Sequence, residues 1–117
     1  MKSTIDLIDR EIRRIELELR GIQEDTARAE PLPARWSYRH RALCWHVVFA
    51  REVLEPDIDI ELTSRALIVR GRPLRHASRV LIAILPVPRF FDCNNPEIRF
   101  EAGFLEITLP RRGHREG

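Results

Sequence analysis

Three residues with metal-binding side chains occur close together in the chain. His40, Cys44 and His46 are separated by even intervals, so one continuous strand would place two imidazoles and a thiol on the same face. Imidazole and thiolate are ligands that zinc prefers. A structural zinc site needs a fourth ligand, which Cys93 or His76 would have to supply from elsewhere, and none of the usual ligand spacings is present. The pattern therefore favours a small buried Cys44 beside partly exposed histidines, and no metal site is predicted.

No motif for catalysis or for cofactor binding is recognisable in the sequence. It contains neither the HExxH pattern of metalloproteases, nor the GxSxG pattern of serine hydrolases, nor a glycine-rich phosphate loop. Asp57, Asp59 and Glu61 alternate with apolar residues, which is typical of the solvated face of a strand. We therefore expect a protein that is not an enzyme and that uses no cofactor.

The composition gives little reason to expect nucleic acid or a membrane as a partner. The chain has 117 residues, of which 44% are hydrophobic and 32% charged, and its net charge is +2. Trp36 and Tyr38 lie among arginines, which can form a stacking platform for single strands, but their regular alternation favours an edge strand with inward aromatic side chains. No membrane-length apolar run and no signal-peptide pattern occurs, and the two cysteines stand alone. A cytoplasmic location is expected.

Residues 57–110 have the pattern of an antiparallel β-sandwich. Segment 103–110 opens with a glycine, alternates apolar with polar residues and ends in a proline, as does a strand with one buried face. Segment 97–100 alternates in the same way, and the short connection 101–103 predicts a hairpin. Further strands are predicted over 34–41, 43–53, 57–62, 67–71 and 79–85. The sequence thus predicts an all-β, immunoglobulin-like sandwich.

An amphipathic helix is predicted ahead of the sandwich, over residues 3–22. Ser3 followed by Asp6 gives a capping signature at its start. Its apolar residues follow the spacing of a heptad seam: Ile5, Ile8, Ile12, Ile15, Leu19 and Ile22. The positions that flank the seam are acidic, so two copies in a coiled coil would set acid against acid. The pattern favours docking of the helix on its own sandwich, or on a neighbouring chain, over a plain coiled coil.

The strand motifs together resemble the α-crystallin domain of the small heat-shock proteins. That family has an Asp-Ile before an alternating strand, a Leu-x-Ile-x-Gly strand, a strand that ends in Leu-Pro, and a closing Gly-x-Leu-x-Ile-x-Leu-Pro strand. The matching residues here are Asp57, Leu67, Val69, Gly71, Leu85, Pro86, Gly103, Leu105, Ile107, Leu109 and Pro110. The resemblance covers residues 43–112 and implies an α-crystallin type of sandwich over 34–112, between a helix and linker over 1–33 and a tail over 113–117.

The resemblance implies an ATP-independent chaperone of the stress response, a holdase that binds unfolded or partly folded client proteins. In the family, clients bind in a groove between two edge strands, which correspond to residues 57–62 and 97–100 of this chain. The implied lining of that groove is Ile58, Ile60, Leu62, Ile98 and Phe100. Taken singly, each of these residues is better interpreted as an ordinary core residue, because inward strand residues usually are.

Two of the chain's departures from the family pattern bear on its assembly. Between Gly71 and Arg79 it has only seven residues, where bacterial and plant members carry a long loop with a strand that is exchanged between partners. Its tail lacks the Ile-x-Ile motif with which members fill a neighbour's groove. We therefore expect a small homo-oligomer and no large shell. The short-looped sandwich also resembles the CS domains of co-chaperones, which implies, as an alternative, a non-catalytic adaptor for one defined protein partner.

Overall fold

The described part of the chain folds into an N-terminal helix followed by two β-sheets. The computed structural model describes residues 3–19, 30–49, 57–63, 65–72 and 80–112. Across these ranges the elements are helix α1 (Thr4–Glu18) and strands β1 (Glu30–Pro31), β2 (Ala34–Arg39), β3 (Ala42–Val48), β4 (Ile58–Leu62), β5 (Ala66–Gly71), β6 (Leu81–Pro86), β7 (Glu97–Glu101) and β8 (Phe104–Pro110). The predicted β-sandwich with a preceding helix is confirmed.

Each sheet contains four of the described strands. The first sheet has the order β1-β6-β5-β4 and the second the order β2-β3-β8-β7. The pairing of β1 with β6 is parallel, and the other pairings are antiparallel. Strands β4 and β7 each end a sheet in this order, so one side of each strand pairs with no other described strand.

Period-2 alternation directs one face of each sheet into a shared core. The inward residues of β3 and β8 are at most 5% exposed: Leu43, Trp45, Val47, Leu105, Ile107 and Leu109. The indole N–H of Trp45 donates a hydrogen bond to the carbonyl of Pro86 over 3.1 Å, which links the second sheet to β6 of the first. Strand β6 is largely buried on both faces, as its nearly continuous apolar run predicts.

Among the described residues, two tight hairpins are closed by turns with left-handed backbone. Ala102 (φ 51°) and Gly103 (φ 83°) join β7 to β8, and His40 (φ 52°) and Arg41 (φ 60°) join β2 to β3. Two consecutive positive φ angles are typical of a type I′ turn, which matches the twist of the flanking strands. Since β2 ends at Arg39 and β3 begins at Ala42, the strand predicted over 34–41 ends two residues early, and His40 lies in a turn and not on a strand that continues to His46.

Helix α1 packs against the sandwich through one stripe. Its first turn is capped by the Ser3 hydroxyl, which accepts a hydrogen bond from the amide of Asp6 over 3.2 Å. Ile8 and Ile12 belong to the main core, and Ile15 forms a second buried cluster with Leu19 and Ala66. No described helix is both long and apolar enough to cross a membrane.

Candidate functional site

Strand β4 presents three inward apolar side chains at the edge of the first sheet. Ile60 and Leu62 lie opposite Val69 and Leu67 of β5, so they point to the core side of the sheet. Ile58 and Ile60 are partly buried and pack against the main core. Leu62 is 48% exposed. The strand therefore carries apolar surface that its own sandwich covers only in part.

Strand β7 has the same character at the edge of the second sheet. Ile98 lies opposite Ile107 and is nevertheless 46% exposed. Phe100 is partly buried, packs against the main core, and makes an edge contact with Phe49, with ring centroids 6.0 Å apart. We call the inward side chains of the two edge strands the edge groove: Ile58, Ile60, Leu62, Ile98 and Phe100.

The outward side chains of β4 are acidic and lie close to an arginine of the neighbouring strand. Arg70 of β5 lies 3.4 Å from a carboxylate oxygen of Glu61 and 3.9 Å from one of Asp59. These contacts cross between neighbouring strands on the face opposite to the core. The acidic residues thus form the solvated face that their alternation predicts.

The predicted helix seam divides into buried and exposed members. Ile8, Ile12 and Ile15 are at most 2% exposed, and Leu19 is 9% exposed. Ile5 is 53% exposed, and Ile22 lies outside the described residues. The C-terminal end of the helix is also held by a hydrogen-bonded ion pair between Glu18 and Arg65.

The motif residues of the predicted family resemblance lie mainly inside the sandwich. Eight are buried in strands or next to one, namely Leu67, Val69, Gly71, Leu85, Pro86, Leu105, Ile107 and Leu109. Gly103 is also buried and occupies the left-handed position of the β7–β8 turn. Asp57 and Pro110 are exposed. These motifs therefore specify the core and its turns, and the edge groove is carried by other residues.

The aromatic residues of β2 face the core. Trp36 lies opposite Trp45, and Tyr38 lies opposite Leu43 and makes an edge contact with the ring of Phe91 at 6.0 Å. The arginines of β2 occupy the alternate, outward positions. The strand is therefore the edge strand that its alternation predicts, with aromatic rings that pack against the main core.

The outward face of the second sheet brings together a thiol, an imidazole and a carboxylate. Ligand-type atoms of Cys44, His46 and Glu106 all lie within 4.8 Å of one another. The Cys44 sulfur is 3.6 Å from the hydroxyl of Thr108. Partial burial raises the pKa of the Cys44 thiol, the hydrogen bond with Thr108 opposes that rise, and the Glu106 carboxylate adds to it.

The sequence pattern grouped Cys44 and His46 with His40, predicted no metal site there, and did not indicate Glu106. Cys44 and His46 do share a strand face, as their spacing requires, but His40 lies in the turn. Glu106 lies directly opposite His46 on β8. A single sequence gives no signal for that pairing, because strand register between distant segments is set by the assembled sheet.

Structural comparison relates this sandwich to solved small heat-shock proteins. Heat shock protein 16.0 from Schizosaccharomyces pombe superposes with a TM-score of 0.61 and 15% identity over 75% of this chain and 74% of that chain. HSP18.5 from E. histolytica superposes with a TM-score of 0.62 and 11% identity, over 76% of this chain and 95% of that chain. A small heat-shock protein from Xylella fastidiosa superposes with a TM-score of 0.59 and 14% identity, over 74% of this chain and 90% of that chain.

Comparison at the level of sequence finds no relative. No protein-family model matches the chain, and no curated protein sequence matches it significantly. The identities to the superposed structures are likewise low, at 11–15%. The resemblance that the strand motifs predict is therefore confirmed in the fold: this chain has the α-crystallin type of sandwich found in the small heat-shock proteins.

Proposed function

We propose that this protein is an ATP-independent holdase, a small heat-shock-like chaperone that binds partly unfolded proteins in the edge groove, with helix α1 contributing to the apolar surface. The proposed function is not catalytic, and the protein acts as a small homo-oligomer in the cytoplasm. Support for a reducing compartment comes from Cys44 and Cys93, both of which are free.

The observation that carries the proposal is the half-exposed apolar surface on both edge strands. Leu62 on β4 and Ile98 on β7 point to the core side of their sheets but remain 48% and 46% exposed. An extended segment that pairs with such an edge gains backbone hydrogen bonds, and its side chains fill the neighbouring apolar positions. Unfolded chains offer both features, so they fit this surface better than folded partners do.

The test is suppression of the heat- or reductant-induced aggregation of a model client, followed by light scattering at equimolar ratio. The variant Leu62→Gln/Ile98→Gln makes the edge groove polar without adding charge. The matched control is Phe104→Gln, because Phe104 is 59% exposed on the outward face of β8. We expect the wild type and the control to protect the client, and the groove variant to lose most of that protection.

Two results would overturn the proposal. One is a well-folded wild-type protein that gives no protection at equimolar ratio. The other is an equal loss of protection in the groove variant and in Phe104→Gln, because this would assign client binding to general surface hydrophobicity. Thermal unfolding of all three proteins establishes that they are folded at the temperature of the assay.

A second candidate function, an adaptor that binds one defined protein partner, is favoured by one observation. The helix buries Ile8, Ile12 and Ile15 against its own chain, so this stripe is not free to join copies together. A protein of this kind would remain a small species of single mass. Light scattering that gives a single small mass, together with no protection of denatured clients, would support the adaptor.

A further inference from the structure

The outward face of the second sheet carries a cluster of donor groups that the proposed chaperone function does not use. Cys44 and His46 are two residues apart on β3, and Glu106 pairs with His46 on β8. The side chains of the edge groove lie on the core side of the sheets, whereas those of this cluster lie on the outward face. Any role of the cluster can therefore be tested independently of client binding.

The spacing of the three donor groups is close to that of a metal-coordination sphere. The sulfur, an imidazole nitrogen and a carboxylate oxygen lie within 4.8 Å of one another, and Nδ1 of His46 is 3.9 Å from Oε2 of Glu106. Tetrahedral zinc has metal–ligand distances of about 2.0–2.3 Å, which places its ligand atoms about 3.3–3.6 Å apart. Side-chain rotations that move the atoms by about 1 Å suffice to close this sphere.

The position of the cluster in the sheet limits how far its members can move apart. Strands β3 and β8 are the two central strands of their sheet, and they pair along their whole lengths, from Ala42 opposite Pro110 to Val48 opposite Phe104. The three Cα positions are thus set by backbone hydrogen bonds and not by a mobile loop. Sites on such elements hold their ligands more accurately than sites on loops.

The donor set itself selects among metals. Calcium and magnesium prefer sites made entirely of oxygen ligands, and a thiol with an imidazole is a poor match for them. Zinc accepts sulfur, nitrogen and carboxylate oxygen in one site. Cys44 is partly buried, whereas His46 is exposed, so a metal ion can reach the cluster from solvent.

We propose that Cys44, His46 and Glu106 bind one zinc ion, with the fourth coordination position open to water. The ion joins β3 to β8 across the outward face of the sheet. The three ligands come together only when the two strands are paired, so zinc binds the folded protein and not the unfolded chain. Zinc therefore stabilises the folded protein.

The experiment is a titration of the metal-free, reduced full chain with Co²⁺, followed by the thiolate-to-cobalt charge-transfer absorption and then by displacement with Zn²⁺. We expect one Co²⁺ per chain, an absorption band that zinc abolishes, and a higher midpoint of thermal unfolding with zinc. Mg²⁺ and Ca²⁺ should not displace the cobalt. Cys44→Ser should lose the band, and His46→Asn or Glu106→Gln should weaken zinc binding by about tenfold or more.

Matched controls separate this site from other thiols and imidazoles. Cys93→Ser removes the buried second cysteine, and His40→Asn removes a histidine of the adjacent turn. The double variant His76→Asn/His114→Asn removes the remaining histidines of the sequence. All three should retain the band and the zinc affinity. The absence of a band at stoichiometric Co²⁺, its persistence in Cys44→Ser, or its loss in a control would overturn the proposal. The exposed or half-exposed positions of the three ligands should allow each variant to fold, which thermal unfolding without metal verifies.

Discussion

Removal of the Ile12 side chain beyond Cβ tests whether helix α1 is an integral part of the core. Ile12 is 2% exposed and belongs to the main core cluster. The change Ile12→Ala deletes three aliphatic carbons, which corresponds to about 2.4 kcal/mol of lost transfer free energy. The cavity left behind raises the cost to about 3–4 kcal/mol, and the better helix propensity of alanine returns a few tenths. We expect a loss of about 3 kcal/mol in the free energy of unfolding.

Ile5 provides the matched control for this measurement. It has the same side chain in the same helix but is 53% exposed. Since the gain in helix propensity is shared, the difference between Ile12→Ala and Ile5→Ala isolates the burial of Ile12. We expect Ile5→Ala to change the free energy of unfolding by less than about 0.5 kcal/mol.

The assay is equilibrium unfolding in urea, followed by tryptophan fluorescence and by helical circular dichroism. Trp36 and Trp45 lie in the second sheet, so their fluorescence reports on the sandwich. Coincident transitions that shift together in Ile12→Ala would show that helix and sandwich unfold as one unit. An equal, small effect of Ile12→Ala and Ile5→Ala would refute the reasoning, as would a loss of helical signal without a shift of the fluorescence transition.

Three further substitutions test the turns and the contact between the sheets. Ala102→Asn should raise the free energy of unfolding by about 1 kcal/mol, because asparagine tolerates the left-handed backbone (φ 51°) better than alanine does. Thermal unfolding measures this, and an unchanged or lower midpoint would contradict it. Thr63→Val should lower the free energy of unfolding by about 1–2 kcal/mol, since the Thr63 hydroxyl accepts the amide of Ala66 over 2.9 Å in the β4–β5 turn; a urea midpoint equal to wild type would be inconsistent with that role. Trp45→Phe should cost about 2–4 kcal/mol, because it leaves the Pro86 carbonyl without its indole donor and opens a cavity between the sheets. A loss below about 1 kcal/mol in urea unfolding would rule this out.

The alternation in β8 was readable from the sequence because the second sheet has one core face. In β8, Leu105, Ile107 and Leu109 alternate with polar residues, and each is buried. A shift of one residue would turn the whole set toward solvent, so the alternation determines which face is buried. The hairpin between β7 and β8 was readable for the same reason, together with the glycine at position 103.

The sequence favoured docking of the helix over a plain coiled coil, but it did not define the extent of the contact with the sandwich. A heptad seam describes the contact between two supercoiled helices. Here the partner is a sandwich, and the buried stripe runs from Ile8 to Leu19 while Ile5 is left exposed. The length of such a contact depends on where the helix meets the sheets, which the periodicity of the helix alone does not define.

The two candidate sites also differ in how far the sequence could predict them. The residues of the edge groove came from the resemblance to the α-crystallin domain. Alternation alone gave the shared face of residues such as Ile58 and Ile60, and only the folded chain places β4 and β7 at the ends of their sheets. The cluster with Glu106 depends on the register between β3 and β8, whose paired residues lie about 60 positions apart in the chain. Local pattern carries no information on such a pairing.

Site-specific photo-crosslinking tests the central claim, client binding in the edge groove, most directly. A benzophenone side chain is placed at position 98 in one protein and at position 104 in another, and each is irradiated with a client as it unfolds on heating. Phe104 is 59% exposed and Ile98 is 46% exposed, so random collisions favour position 104. The account predicts crosslinks to the unfolding client mainly from position 98, and none to the native client. Equal crosslinking from both positions, or crosslinking mainly from position 104, would contradict it.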